Sequence, residues 1–252
     1  MRAGDPVPIG AIGGRTRFRL SDHPEWPALA VAAAAWVWLV SNLGWLIGSA
    51  AAFGGHHHDP GAPSHTHSFD DTLLIWTVMV VAMMLPTTAP HLRYLAFNTR
   101  ASRRQRSIAL FLLGYLAVWL APGLALALVQ SPAPAALIAA AVLAAGAWEL
   151  TPAKRRALRR CCRTWPVGYA GVPADAGAVE YGLRHGVICL LVSGPAMVAL
   201  MLAGHPWWAS VALTVVMTAQ KLLSRPERWR AMVAIGWLAS GLAVGGATLM
   251  SA

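Results

Sequence analysis

Ile75-Trp76-Thr77-Val78-Met79-Val80-Val81-Ala82-Met83-Met84-Leu85 is an almost unbroken apolar run that closes on Pro86. With its flanks it covers residues near 71–91, and about 20 helical residues are what a crossing of the hydrocarbon core takes. Six further runs of that kind lie near 27–53, 107–129, 132–150, 185–204, 207–223 and 231–250. Only Gln130 and Ser131 separate the third from the fourth, and Gly204-His205-Pro206 turns the fifth into the sixth. The chain of 252 residues is 57% hydrophobic and 12% charged, and soluble domains carry about twice that charged share. The expected fold is all-α: a polytopic transmembrane helix bundle of seven spans.

The 20 lysines and arginines fall in four places. Arg2, Arg15, Arg17 and Arg19 lie before the first run, and Arg93, Arg100, Arg103, Arg104 and Arg106 follow the second. Lys154, Arg155, Arg156, Arg159, Arg160, Arg163 and Arg184 separate the fourth from the fifth, and Lys221, Arg225, Arg228 and Arg230 follow the sixth. The alternate connections hold none, which is the positive-inside pattern and puts the N-terminus in the cytoplasm. Residues 1–26 then form a cytoplasmic basic tail, and 27–252 one membrane domain with an external loop at 54–70 and a cytoplasmic loop at 151–184. Gly168, Gly171, Pro173 and Gly177 favour an irregular path for the latter. The net charge of +10 is thus a topology signal, and with no basic stripe interleaved with aromatics no nucleic-acid partner is expected. The first run is too long for a cleavable leader. No disulfide is expected of Cys161, Cys162 and Cys189.

The external loop holds five of the nine histidines: His56, His57, His58, His65 and His67, with Asp59. Neutral imidazole is available at pH 7, so the tract reads as metal capture, although its glycines and prolines disfavour a rigid cage. In the second run Met79 and Met83 are four apart and share a helix face, with Met84 beside them. Pro86 removes the donor that would have engaged the Ala82 carbonyl. Two thioethers and a free carbonyl suit Cu(I), while spacing alone favours simple packing. The fifth run adds Cys189, Met197 and Met201, a second set that either completes a membrane site or fills the core. Glu149 and Lys221, at inner helix ends, read as an ion pair or as solvated side chains. Asn42 is a candidate interhelical hydrogen bond, and Gly241 with Gly245 a candidate close-approach pair. No phosphate loop, zinc-protease helix or nucleophile elbow is present, so no enzyme is expected.

Several blocks resemble a bacterial family of integral membrane proteins expected to bind metal. They are Ala82-Met83-Met84-Leu85-Pro86 with Pro90; Gly114-Tyr115-Leu116 with Trp119; Ala145-Gly146, Thr151-Pro152, Lys154 and Cys162-Arg163; and Gly182-Leu183-Arg184-His185-Gly186 with Cys189 and Met197. The blocks run in order from about residue 70 to 223. The chain departs from the pattern where Cys189-Leu190-Leu191-Val192-Ser193-Gly194 replaces a Cys-x-x-Cys-Cys-Trp run, at Ala157 where a cysteine is usual, and at Gln220 where an acid is usual. The resemblance implies a metal site with fewer thiolates than its relatives.

The favoured reading is a bacterial inner-membrane protein that binds a transition metal, copper before zinc or nickel, and passes it to a membrane or periplasmic partner. The loop would capture the ion and Met79, Met83, Met84, Cys189, Met197 and Met201 would hold it within the bilayer. Met83 and Met84 lie roughly 18 Å below Asp71 at 1.5 Å per residue, so loop and helix are successive stations rather than one coordination sphere. The alternative is a metal-free membrane subunit or assembly factor whose cytoplasmic basic loop docks a partner or anionic lipid.

Overall fold

The structure is a computed structural model, and it describes residues 23–42, 68–129, 133–204, 206–222 and 227–250. Its elements are α1 (Trp26–Ser41), α2 (Phe69–Phe97), α3 (Arg104–Leu128), α4 (Ala135–Leu150), α5 (Pro152–Cys161), α6 (Gly171–Leu202), α7 (Trp207–Leu222) and α8 (Glu227–Met250). One turn of 3-10 helix, Ala101–Arg103, leads into α3. Each of the seven apolar runs has its helix, and no strand is present among the described residues. Four helical segments are long and apolar enough to cross a membrane, and five if the bent α4–α5 pair counts as one span. The other helices of the seven expected spans are shorter: among the described residues α1 and α7 have 16 residues each, about 24 Å of helix, and the first run continues past the described residues.

Two expectations are corrected. The loop at 151–184 is largely helical: Thr151, extended as residues before proline are, accepts a hydrogen bond from the Lys154 N–H and caps α5, which Pro152 opens. The break bends α5 by 71° from α4. Gly171, at φ +75°, then starts α6 nearly four turns before the apolar run, and Pro173 sits in its first turn, where a missing N–H costs little. Asn42 makes no interhelical bond; its side-chain amide donates to the Trp38 carbonyl of its own helix at 2.8 Å. At the head of α2, Ser68 and Asp71 form a reciprocal capping box.

One end of the bundle gathers charge. Arg93 at the end of α2 meets Glu25 ahead of α1 at 3.4 Å. Arg103 and Arg106 clasp Asp175 of α6 at 2.6 and 2.8 Å. Glu149 is buried against Lys154, with Gln220 donating at 3.3 Å and Arg230 reaching its carbonyl. This meets the ion-pair expectation for Glu149.

Helix contact follows small side chains. α3 and α6 pack most extensively, and a Cβ on Gly182 would collide with the Phe111 carbonyl oxygen, while one on Gly114 would lie 2.5 Å from the Val179 oxygen. Ala174, Ala178, Gly182 and Gly186 repeat every fourth residue along this seam. α4 and α8 pack similarly: Gly241 faces Leu143 and Gly245 faces Ala139, as the small-residue pair suggested.

Tryptophans answer two of the helix prolines, and a third tryptophan bonds a carbonyl near another. Trp36 of α1 donates to the Ala82 carbonyl at 3.0 Å, the group that Pro86 leaves unpaired. Trp148 of α4 donates to the Leu191 carbonyl at 2.8 Å, which Pro195 frees in the same way. Trp76 of α2 donates to the Trp119 carbonyl at 2.7 Å beside Pro122, with its ring against Gly123. The Ala82 carbonyl expected to serve a metal is thus committed to an indole.

Gly182→Ala should separate α3 from α6 and cost about 1–3 kcal/mol, read as a lower midpoint of detergent unfolding. Gly236→Ala, with nothing within 4 Å, should be neutral or slightly stabilising. Trp148→Phe should cost about 1–3 kcal/mol by orphaning the Leu191 carbonyl. In a Pro195→Ala background, where residue 195 regains its N–H, that cost should shrink by half or more. An additive double-mutant cycle would refute the pairing.

Candidate functional site

Apart from the buried Glu149–Lys154 pair, polar side chains enter the core mainly where α2, α3, α6 and α7 converge. There Lys221, in the last turn of α7, is 9% exposed. Its Nζ donates to Cys189 Sγ at 2.9 Å and to Thr87 Oγ1 at 3.1 Å, and stands 3.8 Å from Met84 Sδ. Thr87 owes its position to α2, donating its own hydroxyl proton to the Met84 carbonyl at 2.7 Å one residue past Pro86. Cys189 Sγ also shares a hydrogen bond with the Tyr115 hydroxyl at 3.1 Å. Ser193 donates to the Cys189 carbonyl at 2.8 Å and lies 3.6 Å from Met84 Sδ. A thiol, a thioether and a hydroxyl thus surround one primary amine, all in the dry interior.

Next to it, toward the charged end, lies an imidazole pair. His91 and His185 have ring centroids 4.0 Å apart. His91 Nδ1 shares a hydrogen bond with the Tyr181 hydroxyl at 2.6 Å, while His185 Nε2 is buried with no hydrogen-bond partner among the described residues. Phe111, Tyr115 and Tyr181 wall the pair. Tyr115 links both clusters, its hydroxyl on Cys189 and its ring stacked near His185.

The expected ligands are placed unevenly. Met84 and Cys189 come together around Lys221. Met79, Met83 and Met197 are buried in the same apolar core, with Met201 half-buried at its edge, and no polar contact reaches their sulfurs among the described residues. His56, His57, His58, His65 and His67 lie outside the described residues. Among the described residues no three His, Cys, Asp or Glu side chains stand close enough to hold a metal, so any site there draws on methionine. Cys161 is buried beside Leu158 and Val192, and Cys162 is exposed.

Lys221 was expected to be solvated or ion-paired at the interface, and the structure overturns that: its amine turns inward onto sulfur. The signal was available, because an ionisable residue within an apolar run marks a site more often than an accident. Thr87, Tyr115 and Ser193 carried no such signal, and their roles emerge only once four helices meet.

The donor set fits a soft monovalent cation. Cysteine sulfur and thioether are ligands of Cu(I), and the Lys221 amine stands between them. No curated protein and no solved structure matches the chain. A family model described as the copper chaperone PpoB2 matches residues 73–244, well over half of the chain and every helix from α2 to most of α8. The chain belongs to the PpoB2 copper chaperone family.

Proposed function

We propose that this protein is a bacterial inner-membrane chaperone that takes Cu(I) onto Cys189 and Met84 and hands it to a membrane or periplasmic partner, catalysing no reaction. The observation that carries the reading is the Lys221 amine held between Cys189 Sγ, Met84 Sδ and Thr87 Oγ1. Cu(I) exchanges for the proton of the Cys189 thiol, one positive charge for another. Cu(I) brings one positive charge, a Cu–S bond forms, and the proton leaves by way of Lys221 at the end of α7. The exchange adds no charge to the buried site, as suits a hydrocarbon interior. Tyr115 and Ser193 orient Cys189 and Met84 through their hydrogen bonds.

The histidine loop gathers copper before entry, and Met79, Met83, Met197 and Met201 offer soft contacts along the core. The N-terminus and the basic connections face the cytoplasm. α1 and α2 run antiparallel with Arg93 beside Glu25 at the charged end, so the loop between them leaves from the other end.

Competition of the purified protein with a coloured Cu(I) chelator should give one tightly held ion and one proton released per ion. Cys189→Ser and Met84→Leu should each weaken binding by about tenfold or more, while alanine at the five loop histidines leaves this ion in place. A wild-type protein that takes up no Cu(I) at micromolar free ion, or a Cys189→Ser variant that binds normally, would refute the site. In a background free of native cysteines, Ser64→Cys should react with an impermeant maleimide on intact cells and Arg160→Cys only after lysis. The reverse order would overturn the orientation.

A further inference from the structure

A groove of about 730 Å³ opens at the charged end of the bundle, between the exit of α5 and the outer face of α6. That is within the range of roughly 300–1,000 Å³ found for ligand pockets. Its lining combines two chemistries: Arg160, Arg163 and Arg184 are basic, and Leu183, Val187 and Ile188 are apolar. Leu183, Val187 and Leu191 are exposed at successive turns of α6, so the apolar lining continues as a stripe along the helix. Arg184 is braced by Glu180 at 2.5 Å and by the Trp165 ring at 4.7 Å. Arg160 and Arg163 meet no carboxylate among the described residues. With Glu180 included, the groove keeps an excess of two positive charges.

The setting fixes the kind of ligand. α5 is bent by 71° from α4 and carries five exposed basic side chains at and around its polar face: Arg155, Arg156, Arg159, Arg160 and, just beyond, Arg163. Ala157, Leu158 and Cys161 face inward onto Val192. This is the form of an amphipathic helix lying along a headgroup layer. A head of guanidiniums leading into a lipid-facing apolar stripe matches an anionic phospholipid: phosphate on the arginines, acyl chain along Leu183, Val187 and Leu191. A soluble acidic peptide would leave that stripe uncovered.

We propose that this groove is a binding site for one anionic phospholipid of the leaflet at the charged end. Native mass spectrometry of the full chain, released from micelles containing phosphatidylglycerol or phosphatidylcholine, tests it. One phosphatidylglycerol should be retained, with phosphatidylcholine at least about tenfold weaker. Arg160→Gln/Arg163→Gln/Arg184→Gln should weaken retention about tenfold or more, and Arg155→Gln/Arg156→Gln, outside the groove, should not. Val187→Trp fills the apolar lining without altering charge and should also expel the lipid. Equal retention of both lipids, unchanged retention in the triple variant, or unchanged retention in Val187→Trp would each overturn the proposal. So would displacement of the lipid by millimolar inorganic phosphate, which would make it a phosphate site. Copper binding plays no part in the readout.

Discussion

A carbonyl left without a partner in hydrocarbon costs several kcal/mol, because no water is there to pair with it. Pro86 and Pro195 create that problem in the middle of α2 and α6, and the bundle answers with an indole from a neighbouring helix each time. A third indole, Trp76, sits on the Trp119 carbonyl of α3 beside Pro122. Each bond spans two helices at a fixed height, so together they set the register of α1 on α2, α2 on α3 and α4 on α6. Met84 lies two residues before Pro86, which stands one residue short of Thr87. Cys189 lies two residues before the Leu191 carbonyl. The level at which the two sulfurs meet is thus tied to the level of the proline breaks.

The glycine seam works on the other axis. α3 and α6 touch nearly backbone to backbone at Gly114 and Gly182, and this brings Tyr115 to within 3.1 Å of Cys189. A bulkier residue at either glycine would lift the hydroxyl away from the thiol. Packing and site are therefore the same residues seen at different distances from the sulfur. α7 brings the amine, and α2 receives it through Thr87.

Much of this was legible in the chain. Apolar run length located seven helices, and the proline at 86 correctly marked a carbonyl in want of a partner. What read as a ligand was instead claimed by Trp36, because periodicity reports which face a residue occupies and not which neighbour arrives there. α5 was invisible as structure: with basic residues at half its positions it reads as a solvated loop, and only its inward Ala157, Leu158 and Cys161 make it a helix against α6. Gly171 and Pro173 likewise looked like loop, although one is suited to a left-handed start and the other to a first turn. Cys189 and the methionines were recognisable by type. That Met84 alone among them would share a cation with Cys189 depends on tertiary contact, and no local pattern encodes it.

The Lys221–Cys189 pair also sets a rule of valence. On the proposed reading the ion exchanges for one proton, so a cation of single charge would take that proton's place without adding charge to the bilayer interior. A doubly charged zinc or nickel ion exchanged for that one proton would add one positive charge to the buried site. Discrimination between metals would then rest on counting charge as much as on the softness of sulfur, and the protein would need no narrow pore to achieve it.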